Sequence, residues 1–145
     1  MDKRIMDWEI CEKEHINKVR ADKEKINSIL KMLDILLKIT KQIKKDEETV
    51  SIITGNYYEI IKELLTALLL KHGMKSDNHE CLVSFFKKHY PNYDYEANLV
   101  HELKNIRNRI YYDGIFVKKS YLDKNELEFN HIIELLIKLI KNGKS

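Results

Sequence analysis

The sequence predicts an all-α protein, a five- to six-helix up-and-down bundle. Three observations lead there. Four Gly and one Pro among 145 residues leave few places where regular structure must break. Lys, Leu, Glu and Ile are abundant, and they favour helix over strand. Apolar residues recur at steps of three and four, the spacing of one helix face. A chain of this length is expected to form one domain, residues 1–145, and to bury roughly 68–70% of its unfolded surface.

The first helical region spans residues 3–45. Its second half carries a clear stripe: Ile26, Ile29, Leu30, Leu33, Leu36, Leu37 and Ile43. Trp8, Ile10, Cys11, Ile16 and Val19 repeat the rhythm more weakly. The region reads either as one helix or as two, broken at Ala21-Asp22 with Asp22 as N-cap. The next helix starts either at the acidic run Asp46-Glu47-Glu48-Thr49 or at Asn56, where Asn56 and Glu59 form a capping-box pattern after Gly55. Residues 57–71 are apolar on most faces. Such a helix must be central to the bundle or bury a second face against a partner. Gly73 is placed to end it.

Asp77 and Glu80 form another capping-box pattern, opening a short helix over residues 78–89 that Pro91 terminates. Residues 93–112 follow, with Leu99, Leu103, Ile106 and Ile110 as the core stripe. Asp113-Gly114 marks a turn, and Ile115-Phe116-Val117 is a short apolar link. The last helix is expected to be capped by Ser120 or Asp123 and to run to about Lys141. Its expected core side is Leu127, Ile132, Leu135, Leu136, Leu139 and Ile140, with Gly143 closing it. Met6, Met32 and Met74 read as core fillers.

Composition narrows the function. No apolar block approaches the ~18 residues of a membrane span, so no membrane partner is expected. The opening Met1-Asp2-Lys3-Arg4 is unlike a secretion signal, and Cys11 and Cys81 read as reduced thiols of a cytoplasmic protein. The net charge of +3 is too small to diagnose nucleic-acid binding by itself, but the excess sits at the C-terminal end, where residues 101–145 hold 9 bases against 6 acids. The string His72, His79, Cys81, His89 lacks the short paired spacings of a zinc site, and no metal or cofactor is expected. Gly143-Lys144-Ser145 lacks the upstream glycine and following helix of a phosphate-binding loop.

The densest chemistry lies between His101 and Lys119. Lys104, Arg107, Arg109, Lys118 and Lys119 are interleaved with Tyr111 and Tyr112. Arginine offers a planar fork to phosphate, and tyrosine offers stacking surface and a hydroxyl. The same residues also suit a plain helix end, with Arg109 and Asp113 as an i,i+4 pair.

The stretch from Tyr57-Tyr58-Glu59 through Lys62-Glu63-Leu64-Leu65 to His72-Gly73-Met74-Lys75-Ser76-Asp77-Asn78-His79 resembles the second helix and following loop of the HEPN superfamily. Arg107-Asn108-Arg109-Ile110-Tyr111-Tyr112 resembles that superfamily's signature of an arginine, a polar residue and a histidine four to six positions on. The likeness covers residues 47–140. It implies a HEPN-like bundle, a homodimer, and either a separately encoded nucleotidyltransferase partner or metal-independent RNA cleavage. By that resemblance Arg107 and Asn108 hold phosphate and Tyr112 and Asp113 take the place of the missing base, while the cluster's own chemistry offers Lys104, Arg107, Arg109, Tyr111, Lys118 and Lys119 to an RNA or nucleotide ligand. The chain departs from the signature where the histidine should stand, because Tyr112 and Asp113 occupy those places. A phenol ionises near ~10 and an aspartate near ~3.9, both far from neutrality. Ribonuclease activity, if retained, is therefore expected to be weak. His101 lies about 240° around the helix from Arg107, and His79 reads as a helix-start residue. The expected function is thus a HEPN-like nucleic-acid- or nucleotide-binding module with at most degenerate ribonuclease chemistry. Its alternative is a non-catalytic subunit pairing with a nucleotidyltransferase, as in a toxin–antitoxin system.

Overall fold

In a computed structural model, residues 4–142 are described. Six α-helices and one short antiparallel strand pair make up the described fold. The order is α1 (Trp8–Glu14), β1 (Ile16–Lys18), α2 (Lys23–Gln42), α3 (Val50–Lys71), β2 (Met74–Ser76), α4 (Glu80–His89), a 3₁₀ turn (Pro91–Tyr93), α5 (Asp94–Asp113) and α6 (Lys119–Lys141). None of the helices among the described residues is long and apolar enough to cross a membrane.

The centre is α3, which packs against α2, α4, α5 and α6. Tyr57, Ile60, Ile61, Leu64, Leu65, Leu68 and Leu69 are all essentially inaccessible. The apolar excess that this helix shows in sequence is thus consumed within the chain. The helix starts at Val50 and runs unbroken through Gly55 and Asn56, so Asn56 is no cap. Asp46 organises the start instead. Its side chain accepts from the Glu48 and Thr49 amides, both at 2.9 Å, and these bonds hold its carboxyl below the usual range.

Residues 3–45 form neither one helix nor two abutting ones. Asp22 does cap α2, accepting from the Lys25 amide at 3.1 Å. Between α1 and α2, however, Ile16–Lys18 is a strand pairing with Met74–Ser76, with Ile16 opposite Ser76 and Lys18 opposite Met74. Val19 N–H to the Gly73 carbonyl (2.9 Å) and Asp77 N–H to the His15 carbonyl (3.1 Å) extend the ladder at both ends. Helical spacing in Ile16 and Val19 is overridden because a partner strand, remote in sequence, satisfies their backbone. Gly73 is required there. Its φ is +76°, and an added Cβ would lie 3.2 Å from the Val19 carbonyl oxygen.

The same junction corrects the expected thiols. Cys11 of α1 and Cys81 of α4 are joined in a disulfide, Cα to Cα 5.6 Å, across 70 residues. Their sequence separation carried no hint of proximity. Trp8 packs edge-on against Phe85 (5.7 Å) and His89 (5.1 Å) beside this bond.

Other helix ends differ from expectation in detail. Asn78, not Asp77, caps the region before α4 by accepting from the Glu80 amide at 2.9 Å, because Asp77 is taken by His15 Nδ1 at 2.8 Å. Helix α6 begins at Lys119 without a side-chain cap from Ser120 or Asp123. Its core residues are Leu122, Phe129, Ile132, Ile133, Leu136 and Ile140, while Leu127 is 81% exposed, and Met32 is also exposed. Leu127 lies on the wrong side of a stripe set by Phe129, Ile132 and Leu136. Gly143 lies outside the described residues. Gly114 ends α5 in the left-handed conformation (φ +66°), and Ile115 N–H reaches back to the Arg109 carbonyl at 3.2 Å.

His72, at the end of α3, gives the fold an acid sensitivity. Its Nε2 lies 2.9 Å from the Tyr90 hydroxyl, and its pKa is lowered, first by burial and then by His89 and Lys71. The unfolded chain therefore takes up this proton more readily. Stability is expected to be held above ~6.5 and to fall as pH drops below it, until the folded group also titrates. His72→Gln should flatten that part of a denaturation-midpoint-versus-pH curve between pH 7.5 and 5.5; an unchanged slope would remove His72 as its source.

Candidate functional site

The residues singled out in sequence do not form one patch. They divide between two faces of α5, because Arg107, Asn108 and Tyr112 project from one side and Arg109 from the other. Lys104, Arg107, Asn108 and Tyr112 line a cleft of ≈ 270 Å³ together with Tyr58 and Lys62 of α3 and His79 and Glu80 at the start of α4. Arg109 and Lys118 line a separate pocket near the Ile115-Phe116-Val117 link. Lys119 is turned to Asp123 at 3.0 Å. Asp113 lies exposed at the helix end and is not part of the cleft lining.

Arg107 is the best-defined member of the cleft. Its guanidinium lies 4.8 Å from the centre of the Tyr111 ring and 5.7 Å from that of Tyr58. Glu59 approaches one terminal nitrogen at 3.7 Å, and Nε has no hydrogen-bond partner. Stacking holds the guanidinium by its faces. Its in-plane N–H donors, the ones that match a phosphate or carboxylate, are therefore not consumed by a bidentate partner. Burial keeps the Tyr58 phenol protonated well above its ordinary range, although Arg107 pulls the other way. Tyr58 is thus a neutral wall of the cleft.

Lys104 is a different kind of cation. It is 4% exposed and ion-paired to Glu80, tying α5 to the first turn of α4. Lys62 pairs with Glu59 and Glu63 along α3. The cleft's cations are thus set among nearby carboxylates, and Arg107 is the one whose donors point to a ligand role. Tyr112 is 76% exposed at the rim, and Asn108 is half-buried beside Arg107.

Sequence reasoning undervalued two residues. His79 does stand at the start of α4, but it makes no capping bond, is exposed, and lines the same cleft as Arg107. Nothing local could place it there, because α4 meets α5 only through the fold. His101 lies elsewhere, lining a cavity with Trp8 and Met6. Gly55 is the second. A Cβ at that position would lie 2.7 Å from the Tyr111 hydroxyl oxygen and 3.1 Å from its ring. A glycine inside a well-formed helix is the available signal, since it costs about 1 kcal/mol against alanine and so asks for a packing reason.

That arrangement yields a prediction. Tyr111 is 54% exposed and can swing away, so Gly55→Ala should leave stability within about 1 kcal/mol of the wild type, helix propensity offsetting the lost contact. It should nonetheless unseat Tyr111 from Arg107, read as a change in Tyr111 ring chemical shifts together with weaker anion binding. Unchanged shifts would show that the ring does not rest on Gly55.

Among the described residues, no three or more His, Cys, Asp or Glu side chains are grouped to hold a metal ion. Cys81 is committed to its disulfide, and His89 stacks on Phe85 at 4.4 Å.

Fold and site together define an all-α bundle with an arginine-centred cleft between its third, fourth and fifth helices. Comparison with family models, with curated proteins and with solved structures returns no match.

Proposed function

We propose that this chain is a HEPN-like nucleic-acid- or nucleotide-binding module that takes phosphate in the Arg107 cleft, and that it acts as a dimer with weak, metal-independent ribonuclease chemistry. The observation that carries this reading is the convergence of Arg107, Asn108, Lys62, His79 and Tyr112, from three helices, on one cleft. Arg107 supplies a planar set of donors, and Asn108 a further polar group beside it. Histidine is the side chain most often used as acid or base in proton transfer, and His79 lines the cleft while Asp113 does not. In this reading His79 moves the proton at the ribose hydroxyl or leaving oxygen, while Arg107 carries the phosphate charge.

The test is binding and cleavage of a short RNA with chelator present, at two salt concentrations. Arg107→Ala should weaken binding about 10- to 100-fold, the loss of a charge-assisted hydrogen-bond pair, and salt should weaken the wild type. His79→Ala should spare binding and slow cleavage about 100-fold. Salt-insensitive binding that survives Arg107→Ala in a folded protein would sink the reading.

A second reading is a non-catalytic subunit that pairs with a separate nucleotidyltransferase. The apolar stripe Met32, Ile35 and Ile39 favours it. These residues are 65%, 45% and 53% exposed on the outer side of α2, at the spacing of one helix face. Substituting this stripe with polar residues would abolish partner association without touching RNA binding.

A further inference from the structure

The pocket on the opposite side of α5 has a different chemistry from the Arg107 cleft. It encloses ≈ 390 Å³, within the range of small-ligand sites. Its floor is aliphatic: Ile106 and Ile110 of α5 and Val117 of the following link. Its outer wall is Ile115 and Phe116, which are 51% and 71% exposed. Three cations, Arg109, Lys118 and Lys124, stand around it, and its lining holds no carboxylate.

The exposed wall is not a slack loop. Ile115 N–H is bonded to the Arg109 carbonyl at 3.2 Å, and Val117 N–H to Ser51 Oγ at 2.8 Å. Both ends of the link are pinned, so two large apolar side chains are held out in water beside an apolar hollow. Covering them would remove a standing cost. The nearby carboxylates lie outside the lining: Glu47 accepts from the Lys119 amide at 3.4 Å, Asp123 pairs with the Lys119 ammonium at 3.0 Å, and Glu102 lies close to the Tyr121 phenol.

From this geometry we infer that the Ile106–Phe116 pocket binds an amphiphilic anion, an aliphatic chain with a carboxylate head, chain inward and head between Lys118 and Lys124. A nucleobase fits the lining less well, because its polar edges would lose water with few groups to replace it. The carboxylate head instead meets the exposed ammonium groups of Lys118 and Lys124, while the chain gains the aliphatic floor. This site is independent of the Arg107 cleft and of the reading given for it.

Titration of the intact protein with octanoate, decanoate and dodecanoate, below their micelle concentrations, tests the inference. Saturable one-to-one binding is expected, tightening about fourfold per added methylene until the cavity is filled. Lys118→Glu with Lys124→Glu should weaken decanoate at least tenfold while leaving decanol within twofold. Phe116→Asp, at a largely exposed position, should abolish both with unchanged helicity. Arg107→Ala should leave decanoate binding intact, which separates this site from the phosphate cleft. Absence of saturable binding, or binding indifferent to the Phe116 and lysine substitutions, would overturn the inference. So would decanol binding as tightly as decanoate. Dissociation of an oligomer by Phe116→Asp without any carboxylate binding would assign the face to a second copy of the chain and equally overturn it.

Discussion

Cys11→Ser with Cys81→Ser, or full reduction of the bond, should lower unfolding stability by about 4 kcal/mol. The bridge closes a loop of 70 residues, and the chain entropy that the unfolded state regains when a loop of that size is opened sets the figure. For a chain of this length that corresponds to a fall in Tm of about 12–16 °C. The loss should exceed what the missing covalent atoms suggest, because the bond also fastens α1 and its Trp8 against Phe85 and His89. Thermal denaturation with and without dithiothreitol measures it directly. A shift under about 3 °C would mean that the N-terminal segment is held by the β1–β2 ladder and aromatic packing alone. The effect reaches the site, since Cys81 follows Glu80 directly and His79 stands two residues before it.

Lys104→Ala should be the most damaging single substitution among the residues that the sequence marks for ligand contact, and for a reason unrelated to ligand. Removing one member of a buried pair typically costs 3–5 kcal/mol, because the other charge stays in place. Glu80 keeps 21% of its side chain exposed, so about 2–3 kcal/mol is the expected loss. Lys104→Met with Glu80→Gln should recover most of it, since the carboxylate no longer needs a cation. Urea unfolding of Lys104→Met, Glu80→Gln and the double gives the coupling. Additive losses in the double would show that the pair is not energetically linked. Arg107→Ala provides the contrast, with a small stability change expected because its guanidinium is stacked and partly exposed.

These two cases also show why residues that look alike in sequence act differently. Lys104, Arg107 and Arg109 are three cations within six positions of one helix. One is buried against Glu80, one is stacked in a cleft, and one faces an aliphatic pocket. Helical geometry separates them by about 100° per residue, but which face meets α3, α4 or solvent is set by neighbours that lie elsewhere in the chain.

What the sequence determined by itself is the all-α class and the stops at Gly73 and Gly114, and it offered the central place of residues 57–71 and the cap at Asp22 each as one of two alternatives. Each depends on spacing or chemistry within a few residues, where hydrophobic period and cap preference act locally. Only the tertiary structure decided the rest. It turned Ile16–Lys18 into a strand, because Met74–Ser76 was there to pair with it. It joined Cys11 to Cys81, brought His79 beside Arg107, and gave Gly55 its reason in the ring of Tyr111. All four join residues 28 or more positions apart, and a local pattern carries no term for a neighbour that arrives only when the chain has packed.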